Sequence, residues 1–177
     1  MKALFVGLGS VGQRHLRNLV SIIPEVEILA VRSTRSVPLL STTNHVLTSN
    51  TIREKYKVNE FDSLSDALEK KPNLIFITNP TSLHLETALE SLKSGAFVFI
   101  EKPLSNDWEG VEKLLRDEKD NAEKRIALGY QYRFHPALKL LKKSLVEYRI
   151  GKVVGARLIN GEYMPGWHPY EDYRQSY

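Results

Sequence analysis

The sequence contains no cysteine among its 177 residues. This excludes a disulfide framework, a thiol nucleophile and any thiolate metal site. Such usage suits a reducing cytoplasm, which is the expected compartment. Charge of one sign is not concentrated either. Lys and Arg total 25 against 21 Asp and Glu, a net of +4. The cluster Lys139, Lys142 and Lys143 falls at helical spacing and reads as a solvated face rather than a nucleic-acid stripe. Apolar runs such as 74–77 and 97–100 are far below the roughly twenty residues of a membrane span. The opening Lys2-Ala3-Leu4-Phe5-Val6 imitates a secretory signal, but Gly7, Gly9 and Gly12 interrupt it and Arg14, His15 and Arg17 follow closely. There is no internal repeat. His15, His45, His135 and His168 lack metal-ligand spacing, so no metal is expected. These absences remove nucleic acid and membrane as partners and leave a small molecule.

What is present begins at the N-terminus. An apolar strand runs into Gly7-Leu8-Gly9-Ser10-Val11-Gly12, a G-x-G-x-x-G pattern with a helical segment beyond it. In a dinucleotide site Gly7 permits the tight turn, Gly9 lets backbone N–H groups approach a pyrophosphate, and Gly12 brings helix against strand. The phosphate charge then sits on the helix N-terminus. With no cysteine, redox chemistry has to come from such a bound cofactor.

Short apolar strands at 4–6, 28–31, 74–78, 97–101 and 126–129 alternate with helical patterns. That order predicts an α/β fold, a doubly wound parallel sheet of Rossmann type. Helices are expected over 11–23, from a capping box at Ser63 through Leu68, over 81–94 closed by Gly95, from Asp107 to about Ala122, and from Pro136 to about Tyr148. Leu138, Leu141 and Leu145 form an apolar stripe read as core packing. Residues 33–51 read as a loop, 153–159 as a further strand, and the residues from Tyr163 to Tyr177 as an aromatic tail.

Where a dinucleotide fold usually carries an acid for the ribose 2'-hydroxyl, this chain reads Arg32-Ser33-Thr34-Arg35. Arginines and hydroxyls there pair with a 2'-phosphate, so NADP is the expected cofactor, with NAD as the alternative. Glu101-Lys102-Pro103 follows an apolar strand, at the edge where open α/β sheets bind ligands. Pro103 favours an extended Lys102, whose amine can exchange a proton with a substrate hydroxyl or carbonyl while Glu101 orients it. Thr78-Asn79-Pro80, with His84 in the next helical turn, lies at another strand end and offers polar contacts to ribose and nicotinamide.

Together these segments resemble the glucose-fructose oxidoreductase and inositol dehydrogenase (Gfo/Idh/MocA) family, and the passage Gly129 to Pro136 resembles that family's exit from its cofactor domain. The resemblance implies a dinucleotide-binding domain over 1–130, with 131–177 as a connecting helix and first strand of an incomplete substrate domain. It implies an NAD(P)-dependent oxidoreductase acting on a sugar, cyclitol or related carbohydrate, and a homo-oligomer. Lys102 becomes the catalytic lysine, and Glu101, Lys102 and Gln131 join the cofactor-binding residues. The family's second domain, which supplies an Asp and a His to catalysis, has no counterpart before Tyr177, so this chain alone is expected to be catalytically incomplete. A non-catalytic dinucleotide-binding or regulatory module is the alternative, since it has no need of Lys102 at a strand end. A methyltransferase is more distant, because its adenosyl site wants the acid that Arg32 replaces.

Overall fold

The computed structural model describes residues 1–32, 38–117, 125–163, 166, 172 and 174. Strands β1 (Lys2–Val6), β2 (Glu27–Val31), β3 (Asn59–Phe61), β4 (Leu74–Ile77), β5 (Phe97–Ile100) and β6 (Ile126–Leu128) form a six-stranded sheet in the order β3-β2-β1-β4-β5-β6. All neighbouring pairs are parallel. The chain winds outward from β1 to β3, crosses back to β4 and winds the other way. The direction of winding therefore reverses between β1 and β4, which opens a crevice at their carboxyl ends. This is the Rossmann arrangement the alternating pattern implied.

Alternation along each strand divides the core into two layers. Ala3, Phe5, Ile28, Ala30 and Phe76 pack on one face against Leu16 and Leu19 of α1 (Ser10–Ile22) and Ile52 of α2 (Ile52–Tyr56). Leu4, Val6, Leu29, Ile75, Ile77, Val98 and Ile100 pack on the other. There they meet Ala67 of α3 (Leu64–Leu68), Ala88 and Leu92 of α4 (His84–Lys93), and Leu114 of α5 (Glu109–Asp117). Burial on both faces is why these strands are unbroken apolar runs.

Local chemistry sets the helix ends. Thr51 and Glu54 form a reciprocal capping box on α2. At Ser63 only the hydroxyl's half of such a box is made, accepting the Asp66 N–H at 3.1 Å. Gly95, at φ +84°, closes α4. The helix expected from Thr81 opens as a 3-10 turn over Thr81–Leu83 before α4 begins. Strand β3 was not expected, because Asn-Glu-Phe carries no apolar run. Residues 33–37 and 118–124, and with them part of the expected loop and the end of the helix after Asp107, lie outside the described residues.

Residues Met1–Gly129 form one compact unit and Tyr130–Tyr177 a second. In the second, a 3-10 turn (Gln131–Phe134) leads into α6 (Pro136–Val146), with Pro136 at its start and His135 Nδ1 accepting the Ala137 N–H. Two expectations fail here. Leu138 and Leu141 are exposed rather than core, and no residue of α6 is fully buried. Residues 153–159 form no strand, and Val154 is 98 % exposed. A β-strand exists only through a partner strand, and the described residues give this segment none. Of the aromatic tail, Tyr163 is described and exposed, whereas Trp167, Tyr170, Tyr173 and Tyr177 lie outside the described residues. Among the described residues no helix is long and apolar enough to cross a membrane.

Candidate dinucleotide site

The site is built where β1 ends. Gly7 adopts φ +92°, a left-handed conformation suited to glycine, and its N–H donates to Val31 O at 3.1 Å, tying the turn to the end of β2. Leu8 turns into the core. Gly9 is the N-cap of α1, and Ser10, Val11 and Gly12 form the first turn. A Cβ at Gly12 would stand 2.6 Å from Gly7 O and 2.8 Å from Thr78 Oγ1, so helix and loop close on each other only through glycine. A Cβ at Gly9 meets no atom of the described residues within 4 Å. The fold itself therefore leaves Gly9 open.

That opening has a chemical character. The N-terminus of α1 has no side-chain cap and no acidic residue in its first turn. Among the described residues nothing caps the first-turn N–H groups, which with the positive end of the helix dipole face the space above Gly9. The chemistry of this donor set fits the pyrophosphate of a dinucleotide.

Thr78 does not extend into that space. Its hydroxyl is buried and donates to Gly7 O at 2.6 Å, which braces the glycine loop from β4. Asn79 donates from Nδ2 to Thr87 Oγ1 at 3.0 Å, and its Oδ1 is a buried acceptor with no partner among the described residues. Pro80 is exposed beside it. His84 was expected to face the cofactor, but it is 2 % exposed, and its ring nitrogens lie 2.8 Å from Pro103 O and 2.9 Å from Asn79 O. Its place is beneath the loops.

Glu101 and Lys102 follow β5. Lys102 is exposed, whereas Glu101 is buried. Its Oε1 accepts from His15 Nε2 at 2.7 Å, and its Oε2 accepts the Lys102 N–H at 3.2 Å. Burial pushes the Glu101 carboxyl up. The His15 hydrogen bond and charge, the Lys102 N–H and the Lys102 charge outweigh it and hold the carboxyl below its ordinary range. His15 reaches across from α1, its ring packed against Phe76 and Phe99 at centroid distances of 5.7 and 4.8 Å. Gly129 leaves room for this carboxylate, since a Cβ there would stand 3.1 Å from Glu101 Cδ.

At the end of β2 the Arg32 Nη1 donates to Glu60 Oε1 of β3 at 2.6 Å. The guanidinium expected to await a 2'-phosphate is already paired with a carboxylate. Ser33, Thr34 and Arg35 lie outside the described residues. Gln131 is exposed in the second unit.

His15, Gln13 and Glu60 were not singled out by the sequence reading. Gln13 is fully buried, donating from Nε2 to Leu8 O and Pro38 O and accepting the Leu40 N–H. It pins the glycine loop to the chain beyond residue 37. Its signal was a polar residue in register with the core positions Leu16 and Leu19.

Comparison with known proteins bears on this geometry. The model of the oxidoreductase family with an NAD-binding Rossmann fold matches residues 1–130. Inositol 2-dehydrogenase of Salmonella typhimurium is 26 % identical over 167 residues, which cover 93 % of this chain and 48 % of that protein. scyllo-Inositol 2-dehydrogenase (NAD(+)) of Bacillus subtilis is 28 % identical over 157 residues, covering 87 % and 42 %. The crystal structure of myo-inositol 2-dehydrogenase from Lactobacillus plantarum superposes with a TM-score of 0.70 at 26 % identity, covering 87 % of this chain and 43 % of that one. The chain thus spans about half the length of the curated relatives it matches.

Proposed function

Because the chain belongs to the oxidoreductase family with an NAD-binding Rossmann fold, we propose that it is the cofactor-binding part of an enzyme moving hydride between nicotinamide and a carbohydrate-type alcohol or ketone. The observation that carries this reading is the uncapped N-terminus of α1 above an unfilled Gly9. Inositol-type relatives support a cyclitol or related sugar as the substrate. A homo-oligomer in the cytoplasm completes the reading. The nicotinamide supplies the hydride acceptor or donor.

The chain's own residues do the rest. The first turn of α1 binds the pyrophosphate, and Thr78 and Gln13 hold the glycine loop in shape. Lys102 Nζ stands on an exposed turn after β5 and holds or releases the proton of the reacting oxygen. Glu101, tied to His15, fixes the backbone from which that amine projects.

Within this reading NADP(H) is preferred over NAD(H), because Arg32 takes the place of the usual acid. Glu60 competes for the same guanidinium, so the preference is modest, about tenfold or roughly 1.4 kcal/mol. Calorimetric titration with NADH and NADPH tests it. Wild type binds NADPH more tightly, and Arg32→Ala removes the difference. Equal affinities, or tighter NADH binding, overturn the NADP assignment.

A further inference from the structure

We propose that His84 is a positioning residue, a doubly donating clamp between two strand-end loops that sets where the Lys102 amine stands. The proposal rests on the reading of Lys102 above. His84 opens α4 and is almost wholly buried. Its Nδ1 faces Pro103 O at 2.8 Å and its Nε2 faces Asn79 O at 2.9 Å. Carbonyl oxygens only accept hydrogen bonds, so both contacts are made together only when both ring nitrogens carry protons. A ring with one proton makes one contact and turns a lone pair toward the other oxygen.

The two carbonyls belong to different loops. Asn79 follows β4, Pro103 follows β5, and these strands are neighbours in the sheet. The ring therefore ties together the two turns that present Asn79 and Lys102. Other bonds share the task. Thr87, one turn further along α4, accepts from Asn79 Nδ2, so α4 holds Asn79 at both its carbonyl and its amide. Around Lys102, Glu101 Oε2 takes its N–H and His84 takes the carbonyl of the next residue. Backbone on either side of an exposed lysine is pinned while the side chain stays free. A group that delivers a proton over one bond length needs that arrangement.

Two readouts on the 177-residue chain test the clamp. In the ¹⁵N-labelled wild type, two-bond nitrogen–proton correlation spectra report which ring nitrogens carry protons, with His84 assigned by its loss in His84→Phe. The expected result, from the two carbonyl contacts, is protons on both His84 nitrogens in the folded chain. In the second readout, lysines are reductively methylated with ¹³C-formaldehyde and the Lys102 signal is assigned by its loss in Lys102→Arg. His84→Phe keeps a ring in the site but offers no donor to either carbonyl and should move that signal. A single-proton ring in the wild type overturns the proposal without any variant having to fold. An unmoved Lys102 signal in a folded His84→Phe chain also overturns it. The reading of Lys102 fails separately: if NADH binds yet leaves its signal in place, the clamp stands and the lysine's place beside the nicotinamide does not.

Discussion

Glu101 is where burial and charge oppose each other most plainly. Desolvation favours its protonated form, yet the His15 N–H at 2.7 Å and the Lys102 N–H keep the folded-state pKa below the ordinary 4.5. A carboxyl depressed in this way stabilises the fold above its unfolded pKa, and the contribution is lost as pH falls through the folded value. Glu101→Gln should therefore cost about 1 kcal/mol near pH 7, with the difference from wild type shrinking as the pH drops below 4.5. Urea denaturation at the two pH values measures this, and a difference that persists unchanged in acid contradicts it. At this scale the sequence was legible in part. The glycine pattern and Glu101-Lys102-Pro103 announced themselves by spacing and by their place after apolar strands. The partners did not, because His15 lies 86 positions from Glu101 and Arg32 lies 28 from Glu60. Nothing local marks pairs that only the sheet brings together.

Among the elements, the junction of β1, the glycine loop and α1 carries the site, and Gly12 tests it. Alanine in a helix is ordinarily worth about 1 kcal/mol over glycine. Here its Cβ would meet Gly7 O at 2.6 Å and Thr78 Oγ1 at 2.8 Å, both fixed by the bond between them. Overpacking should win, so Gly12→Ala is expected to destabilise by about 1–3 kcal/mol, read as a lower denaturation midpoint. A stabilised variant contradicts the close approach. Buried parallel strands and amphipathic helices were legible because burial on one or both faces imprints a period. Strand β3 was not, since three residues at a sheet edge are held by backbone pairing to β2 rather than by apolar side chains. The segment 153–159 has the opposite character. It is apolar enough to read as a strand, but strand structure requires a neighbour as well as a pattern.

For the molecule as a whole, the parallel sheet packs two core layers within Met1–Gly129, and the candidate site lies in that unit at the carboxyl ends of the strands. The family match over residues 1–130 covers the same unit. The second unit carries exposed apolar side chains on α6 and beyond it, which is why its helix was legible while its expected burial was not. In the function proposed above, the open N-terminus of α1 holds a dinucleotide. The most direct measurement is titration of the chain with NADH, by fluorescence or calorimetry, for wild type and Gly9→Ala alongside their denaturation midpoints. A methyl group at Gly9 touches no atom of the described residues within 4 Å, so stability should change by no more than about 0.5 kcal/mol while NADH affinity falls at least about tenfold. Wild type that does not bind NADH, or a Gly9→Ala chain that binds it as tightly as wild type, contradicts the account.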